Sequence, residues 1–262
     1  MTRATGTVTG CWRYPVKSMQ GLAETTLAVT EHGVAGDRTR AVVDPATGHI
    51  LTAKRVKDLL FASATDDAIA LPDGTVVGLD APHVDDALSA WLGRPVHLAG
   101  AAEAGQRSFE MTFDPPNDEA EFYEIPAPPE TFLDAAHVHV VNAATLRGCA
   151  EARPDLDWDV RRFRPNVLVD LGGDAFAEQD WIGAEVRLGA VVLHVEGPTV
   201  RCAMPLRAQP EGIGREDGDP VASRKIGHDL SDRLSDGVAR GTDVQGSGNG
   251  GCNAGHRVGQ FR

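Results

Sequence analysis

Cys202 is suited to soft chemistry: it follows Arg201 in TVRCAM. A neighbouring guanidinium lowers a thiol's pKa toward the thiolate that attacks electrophiles or binds soft metals. A lone cysteine is also commonly a small buried hydrophobe, so the pair reads either way. Arg161, Arg162 and Arg164 stand beside Asn166 in DVRRFRPNVLVD, at the mouth of an otherwise apolar strand. Guanidinium forks suit phosphate, and an amide both donates and accepts toward a heterocycle edge. The alternative is a solvated strand end with salt bridges to an acidic chain. YPVKSM places Lys17 and Ser18 just after a strand, where an ammonium and a hydroxyl can share a phosphate oxygen. An exposed loop would have the same sequence. GVAGDRTR adds Gly33 and Gly36 as turn positions and then Asp37 and Arg38, by themselves a local ion pair.

These residues lie on distant segments, so a scaffold must gather them. Residues 5–60 read as short antiparallel strands, TGTVTGCWRY, LAVTEHG and RAVVDPATGHILT, with a hairpin marked by Asp44-Pro45 and Thr47-Gly48. DAIALPDGTVVGLD predicts a second small hairpin. PHVDDALSAWLGRP carries Val84, Leu88, Trp91 and Leu92 at helical spacing before Gly93 and Pro95, which predicts a short amphipathic helix. The stretch 113–130, dense in proline and acid, predicts a surface connection and domain junction. Beyond it, HVHVVNAATLRGCAEARP predicts a strand, a turn and a helix, and RFRPNVLVDLGG and AEVRLGAVVLHVEG predict further strands. The fold class expected is mainly β with some α. The units expected are 5–112, the connection 113–130, 131–217, and a tail over 218–262; twelve of the 29 glycines fall in the last 54 residues, which should pack poorly.

A chain of 262 residues, 42% hydrophobic and 24% charged, has length for a real core and fits neither a disordered chain nor a membrane bundle. Its 38 acidic against 25 basic residues give −13, which argues against nucleic acid or an anionic membrane as partner while allowing a local basic pocket. Four scattered cysteines form no disulfide framework and fit a reducing compartment. With no apolar leader or span in the sequence, a cytoplasmic location is expected. Other motifs fail on context. His137 and His139 share one face of the expected strand but lack a third ligand, and Cys252 and His256 lack a partner pair. GSGNGG at 246–251 has no strand before it and no helix after it. No G-x-S-x-G elbow or Walker A lysine occurs.

Taken in order, YPVKSM, GDR, PETFLDAAHVHVV (129–141), AATL, RRFRPN, FAEQDWIGAEVRLG (176–189) and RCAM resemble the MOSC family. Within it the chain is similar to two-part members with an N-terminal β-barrel-like domain, the bacterial homologues of the mitochondrial amidoxime-reducing component. The resemblance covers about Val8 to Gln209. It implies a MOSC β-barrel plus an N-terminal β-barrel-like domain, with the molybdenum cofactor (molybdopterin) held between them. By the same resemblance Cys202 gives a thiolate to molybdenum with Arg201 adjoining, Lys17 and Ser18 hold the molybdopterin phosphate, and Arg38 lies near the cofactor. Arg162, Arg164 and Asn166 would line the pterin site, and Thr145 of AATL would add a hydroxyl contact. The implied activity is an oxidoreductase: two-electron reduction of an N-hydroxylated small-molecule substrate to amine or amidine and water. No flavin, haem or iron–sulfur signature is visible, so the electrons would come from a separate reductase.

The chain departs from the family pattern in two places. Pro205 and Leu206 stand where a hydroxyl pair usually follows RCAM. From about Gly218 the tail lacks the strand and hairpin that close the family's barrel, as a shifted reading frame or an added extension would each produce. Two further readings stay open: a non-catalytic carrier of the cofactor or of sulfur on Cys202, and a cofactor-free β module whose motifs serve packing.

Overall fold

The computed structural model describes residues 5–101, 108–111, 121, 123–126, 131–134, 136–199, 204–210 and 259–261. The first half gives β1 (Thr7–Arg13), β2 (Leu22–Glu24), β3 (Leu27–Thr30), β4 (Gly33–Val34), β5 (Arg40–Val43), β6 (Ser63–Ala64), β7 (Ala68–Ala70), β8 (Val76–Gly78), α1 (Val84–Leu92) and β9 (His97–Gly100). After it come β10 (Ser108–Met111), β11 (Tyr123–Pro126), β12 (Val140–Asn142), α2 (Ala143–Ala152), β13 (Val167–Asp170), β14 (Glu185–Leu188), β15 (Val191–His194) and β16 (Gly259–Phe261). The chain is mainly β with some α, as its alternating patterns predict. No helix among the described residues is long and apolar enough to cross a membrane.

The local signals behave as expected. The turn at Asp73 and Gly74 joins β7 to β8, and Gly93 ends α1 in the left-handed region at φ 65, its N–H donating to the Ser89 carbonyl. Leu88 and Val84 turn that helix's apolar face onto a core with Val42, Ile69, Val77 and Leu98. Burying each such side chain contributes about 1.5–3 kcal/mol. A second core gathers Cys11, Leu27, Val29, Val34, Val167, Val169 and Leu188.

Long-range pairing departs from the sequence reading. β1 lies between β13 and β2 in the order β12-β13-β1-β2, with Cys11 opposite Val167 on one side and Glu24 on the other. The first strand therefore completes a sheet built by residues 140–170, and the two halves of the sequence share it. β12 and β13 run parallel through α2, a βαβ unit. No turn separates β12 from α2, because the fully buried Asn142 ends the strand in extended backbone and caps the helix, accepting from the Ala144 N–H at 3.1 Å. The strand starts at Val140, so His137 and His139 precede it instead of sharing its face. Part of the expected connection is also a strand: β11 pairs antiparallel with β10, and Pro126 sits at its end, where a missing N–H costs little. Within the glycine-rich tail, β16 pairs with β3, Phe261 opposite Leu27.

Five segments meet where the two cores adjoin. Arg38 N–H donates to the Tyr14 carbonyl at 2.7 Å, Lys17 N–H to Arg40 at 2.8 Å, Phe132 N–H to Arg38 at 2.9 Å and Trp12 N–H to Asn166 at 2.9 Å. There the Ser18 hydroxyl accepts from the Ala53 N–H at 3.0 Å.

Candidate functional site

Four non-glycine residues among those described have left-handed backbone: Ser18 (φ 70), Arg38 (φ 48), Arg164 (φ 52) and Phe176 (φ 66). Such backbone costs about 1–2 kcal/mol per residue and persists only where surrounding contacts impose it. Three of the four lie at this junction. The hydrogen bonds around Arg38 and Arg164 converge on Tyr14 and Asp37, while Ser18 is held through Ala53. Tyr14 N–H donates to Asp37 Oδ1 at 2.7 Å, and the Tyr14 hydroxyl donates to the Pro165 carbonyl at 3.2 Å.

The side chains form one charged cluster around the Tyr14 ring. The guanidinium carbons of Arg38 and Arg164 lie 4.6 and 4.3 Å from the ring centroid. Burial pushes the Tyr14 phenol up to about 12, against the pull of both arginines, so the ring stays neutral between pH 5 and 9. Arg38 pairs with the buried Asp37 and also donates to the Arg164 carbonyl at 3.3 Å. Arg164 is itself buried, and its Nη1 and Nη2 find no hydrogen-bond partner among the described residues. Burial holds that guanidinium down to about 10, with Arg38 adding repulsion and Tyr14, Asp37 and Asp134 opposing it.

Lys17 is buried beside this group and donates to the Phe132 carbonyl at 2.5 Å and to Asp134 Oδ1 at 2.6 Å. Burial lowers its ammonium pKa although Asp134 opposes the shift. Desolvation of the inner edge of Asp134 works to raise its carboxyl, but Lys17, Lys54 and Arg38 outweigh it and hold the group at about 2. Lys54, buried on the segment after β5, adds a fourth cation that both Lys17 and Asp134 feel. Lys17, Arg38, Lys54 and Arg164 thus gather beside Asp37 and Asp134, a cationic group inside an acidic protein.

The structure brings Lys17, Ser18, Arg38 and Arg164 together, and Asn166 joins them through Asp37. The Asn166 amide donates to Asp37 Oδ2 at 3.1 Å and to the Trp12 carbonyl at 3.3 Å, and accepts from the His139 N–H at 3.1 Å, so it ties β1 to the start of β12. Arg162 turns elsewhere, onto Asp157 and the carbonyls of Pro205 and Arg207. Thr145 also stands apart: its hydroxyl donates to Glu178 at 2.7 Å and accepts from the N–H of the strained Phe176 at 2.8 Å. Arg201 and Cys202 lie outside the described residues. A cleft of about 400 Å³ is lined by Val140, Thr145, Trp158, Phe163, Glu178 and Trp181 among others, and none of the four cations forms its wall.

Sequence reasoning missed Lys54, Asp134 and the role of Tyr14. Tyr14 sits inside YPVKSM and Asp134 inside PETFLDAAHVHVV, but neither motif shows which side chain turns inward. Lys54 is one of three bases in AKRVK, and nothing local marks it as the buried one.

Residues 5–110 match the MOSC N-terminal beta barrel domain, and residues 128–244 match the MOSC domain. The second match runs past residue 217, where the change in composition suggested an end. The chain is similar to molybdenum cofactor sulfurase from Drosophila grimshawi, 27% identical over 221 residues that cover 73% of this chain and 27% of that protein. It is similar to molybdenum cofactor sulfurase from Oryza sativa subsp. japonica, 23% identical over 245 residues that cover 80% of this chain and 29% of that protein. The chain thus spans little more than a quarter of the length of these curated relatives. With both halves matched in order and β1 joining them in one sheet, the chain belongs to the MOSC family, as a MOSC N-terminal β-barrel domain followed by a MOSC domain.

Proposed function

We propose that this protein binds the molybdenum cofactor at the junction and acts as an oxidoreductase on N-hydroxylated small molecules, drawing electrons from a separate reductase. The observation that carries the reading is the buried Arg164 fork, whose two terminal nitrogens have no hydrogen-bond partner among the described residues, in a cluster with Arg38, Lys17 and Lys54. A buried unpaired guanidinium costs several kcal/mol, and a phosphate monoester offers it charge-assisted bonds at both nitrogens. Arg38, Lys17 and Lys54 add cationic groups beside it, and Ser18, next to Lys17 in the chain, has left-handed backbone. The donor set suits the group, with cations for a dianion and the Cys202 thiol, beside Arg201, for a soft metal. When bound, the cofactor supplies the two-electron chemistry. The chain's own residues hold and orient it. Tyr14 keeps a neutral ring against two guanidiniums, Asp37 fixes Arg38, and Asn166 fixes Asp37.

The relatives' shared name, molybdenum cofactor sulfurase, speaks of the cofactor and of sulfur and not of N-hydroxylated compounds, which keeps a second reading open. Under it the chain carries the cofactor, or sulfur on Cys202, without turnover. The two readings separate in protein purified from a host that makes the cofactor and assayed with an N-hydroxylated amidine and a reduced dye. The oxidoreductase reading predicts turnover that Cys202→Ala abolishes together with bound molybdenum. Molybdenum-loaded wild type that consumes no substrate would leave the carrier reading.

A further inference from the structure

Arg162 lies two residues before Arg164, yet the two guanidiniums serve different places. The Arg162 Nη1 reaches across 43 residues to donate to the Pro205 carbonyl at 3.1 Å, and it also donates to the Arg207 carbonyl at 3.0 Å. Its other edge, Nε and Nη2, donates to Asp157 Oδ2, each at 3.0 Å. Asp157 is fixed in turn, its Oδ1 accepting from the Asp159 N–H at 3.0 Å. Asp159 caps the short helical turn Val160–Arg162, accepting from the Arg161 N–H at 2.8 Å. The Trp158 and Phe163 rings stack across the same loop, 6.2 Å apart and 6° from parallel. A buried guanidinium is thereby aimed from a braced loop at one turn of chain, Met204–Leu206.

That turn begins two residues after Cys202. Pro205 has no N–H, so its carbonyl is its only backbone hydrogen-bonding group, and Arg162 takes it. On the other side of the turn, Arg207 Nη2 donates to the Lys54 carbonyl at 2.7 Å, and Gln209 Oε1 accepts from Gln20 at 3.0 Å. Lys54 is also a member of the cationic cluster. The segment behind Cys202 is therefore tied on one side to the Asp157–Arg162 loop and on the other to backbone of the anion site.

We infer that Asp157 and Arg162 are a positioning pair that fixes the turn behind Cys202 relative to the anion site. The consequence for the metal rests on the proposed cofactor reading; the consequence for the thiol does not. A planar fork can address two carbonyls and a carboxylate at once, and a lysine ammonium cannot reproduce that geometry. Asp157→Asn removes the charge that orients the fork, while Arg162→Lys keeps the charge and loses the fork.

The test is iodoacetamide alkylation of cofactor-free protein, with peptide mass mapping to read Cys202 apart from Cys252 and the buried Cys11 and Cys149. Both variants should change the Cys202 alkylation rate by about threefold or more, since thiol reactivity follows access and local charge and the turn next to it is released. In Asp157→Asn, inorganic phosphate binding should stay within about twofold of wild type, because the Asp157 carboxylate pairs with Arg162 and not with Lys17, Arg38 or Arg164. A Cys202 rate equal to wild type in folded Asp157→Asn overturns the inference, and this half-exposed position decides the matter if Arg162→Lys does not fold. In protein from a cofactor-producing host, Asp157→Asn should lower the ratio of molybdenum to pterin. A purely structural role would lower both together and overturns the positioning role. Wild type without molybdenum or pterin, but with the alkylation difference intact, overturns the cofactor reading and leaves the positioning pair standing.

Discussion

A guanidinium held away from water beside the Tyr14 ring, with two nitrogens lacking acceptors among the described residues, costs the free chain stability. Arg164→Met keeps the length of the side chain and removes the charge. The melting temperature of cofactor-free protein should therefore be unchanged or higher, and a fall of more than about 3 °C would show the guanidinium to be stabilising. The pH dependence of binding has a fixed sign. Lys17 is lowered from its ordinary value and Arg164 is held at about 10, so the unfolded chain binds these protons more tightly than the folded one. The stability of the free chain rises as pH climbs through those folded values. Anion binding needs both protons, so inorganic phosphate affinity measured by calorimetry should fall from neutral pH toward 10.5, and a flat profile would remove these groups from the site. At this scale the sequence yielded the participants Lys17, Ser18, Arg38 and Arg164 through their motifs. It hid Lys54 and Asp134, because which of several adjacent charged residues is buried depends on chain brought in from elsewhere.

Elements set by local chemistry were legible. The β7–β8 hairpin follows from Asp73-Gly74, and α1 from its apolar spacing and terminal Gly93. Elements set by partners were not: β11 forms in an acidic, proline-rich run, and β12 starts later than its alternating pattern suggests. Two glycines expose the same contrast. At Gly33, φ is +107 and a Cβ would stand 2.6 Å from the His137 carbonyl oxygen, backbone against backbone. At Gly93, φ is +65 and nothing lies within 4 Å. Urea denaturation should give a loss of about 3 kcal/mol for Gly33→Ala and about 1 kcal/mol for Gly93→Ala. Equal losses would mean that the β3–β4 hairpin does not press on the start of β12.

For the molecule as a whole, the sequence order of two domains conceals a shared sheet. Period-two alternation tells which face of β1 is buried but not that its neighbour is β13, about 160 residues away. That pairing brings the loop after β1 to the loop before β13, and so Lys17 and Arg38 to Arg164. A chain of charge −13 thereby gathers Lys17, Arg38, Lys54 and Arg164 in one place. Long-range repulsion of anions is screened beyond about 8 Å at physiological salt, so attraction at contact decides what the site holds. The decisive measurement is the pterin content of wild type and Arg164→Met from a host that makes the cofactor, read by fluorescence after oxidation. Near-stoichiometric pterin in wild type and a loss of about tenfold or more in the variant is expected, because both fork nitrogens are removed. Equal pterin in the two proteins, or none in well-folded wild type, would contradict cofactor binding at this junction.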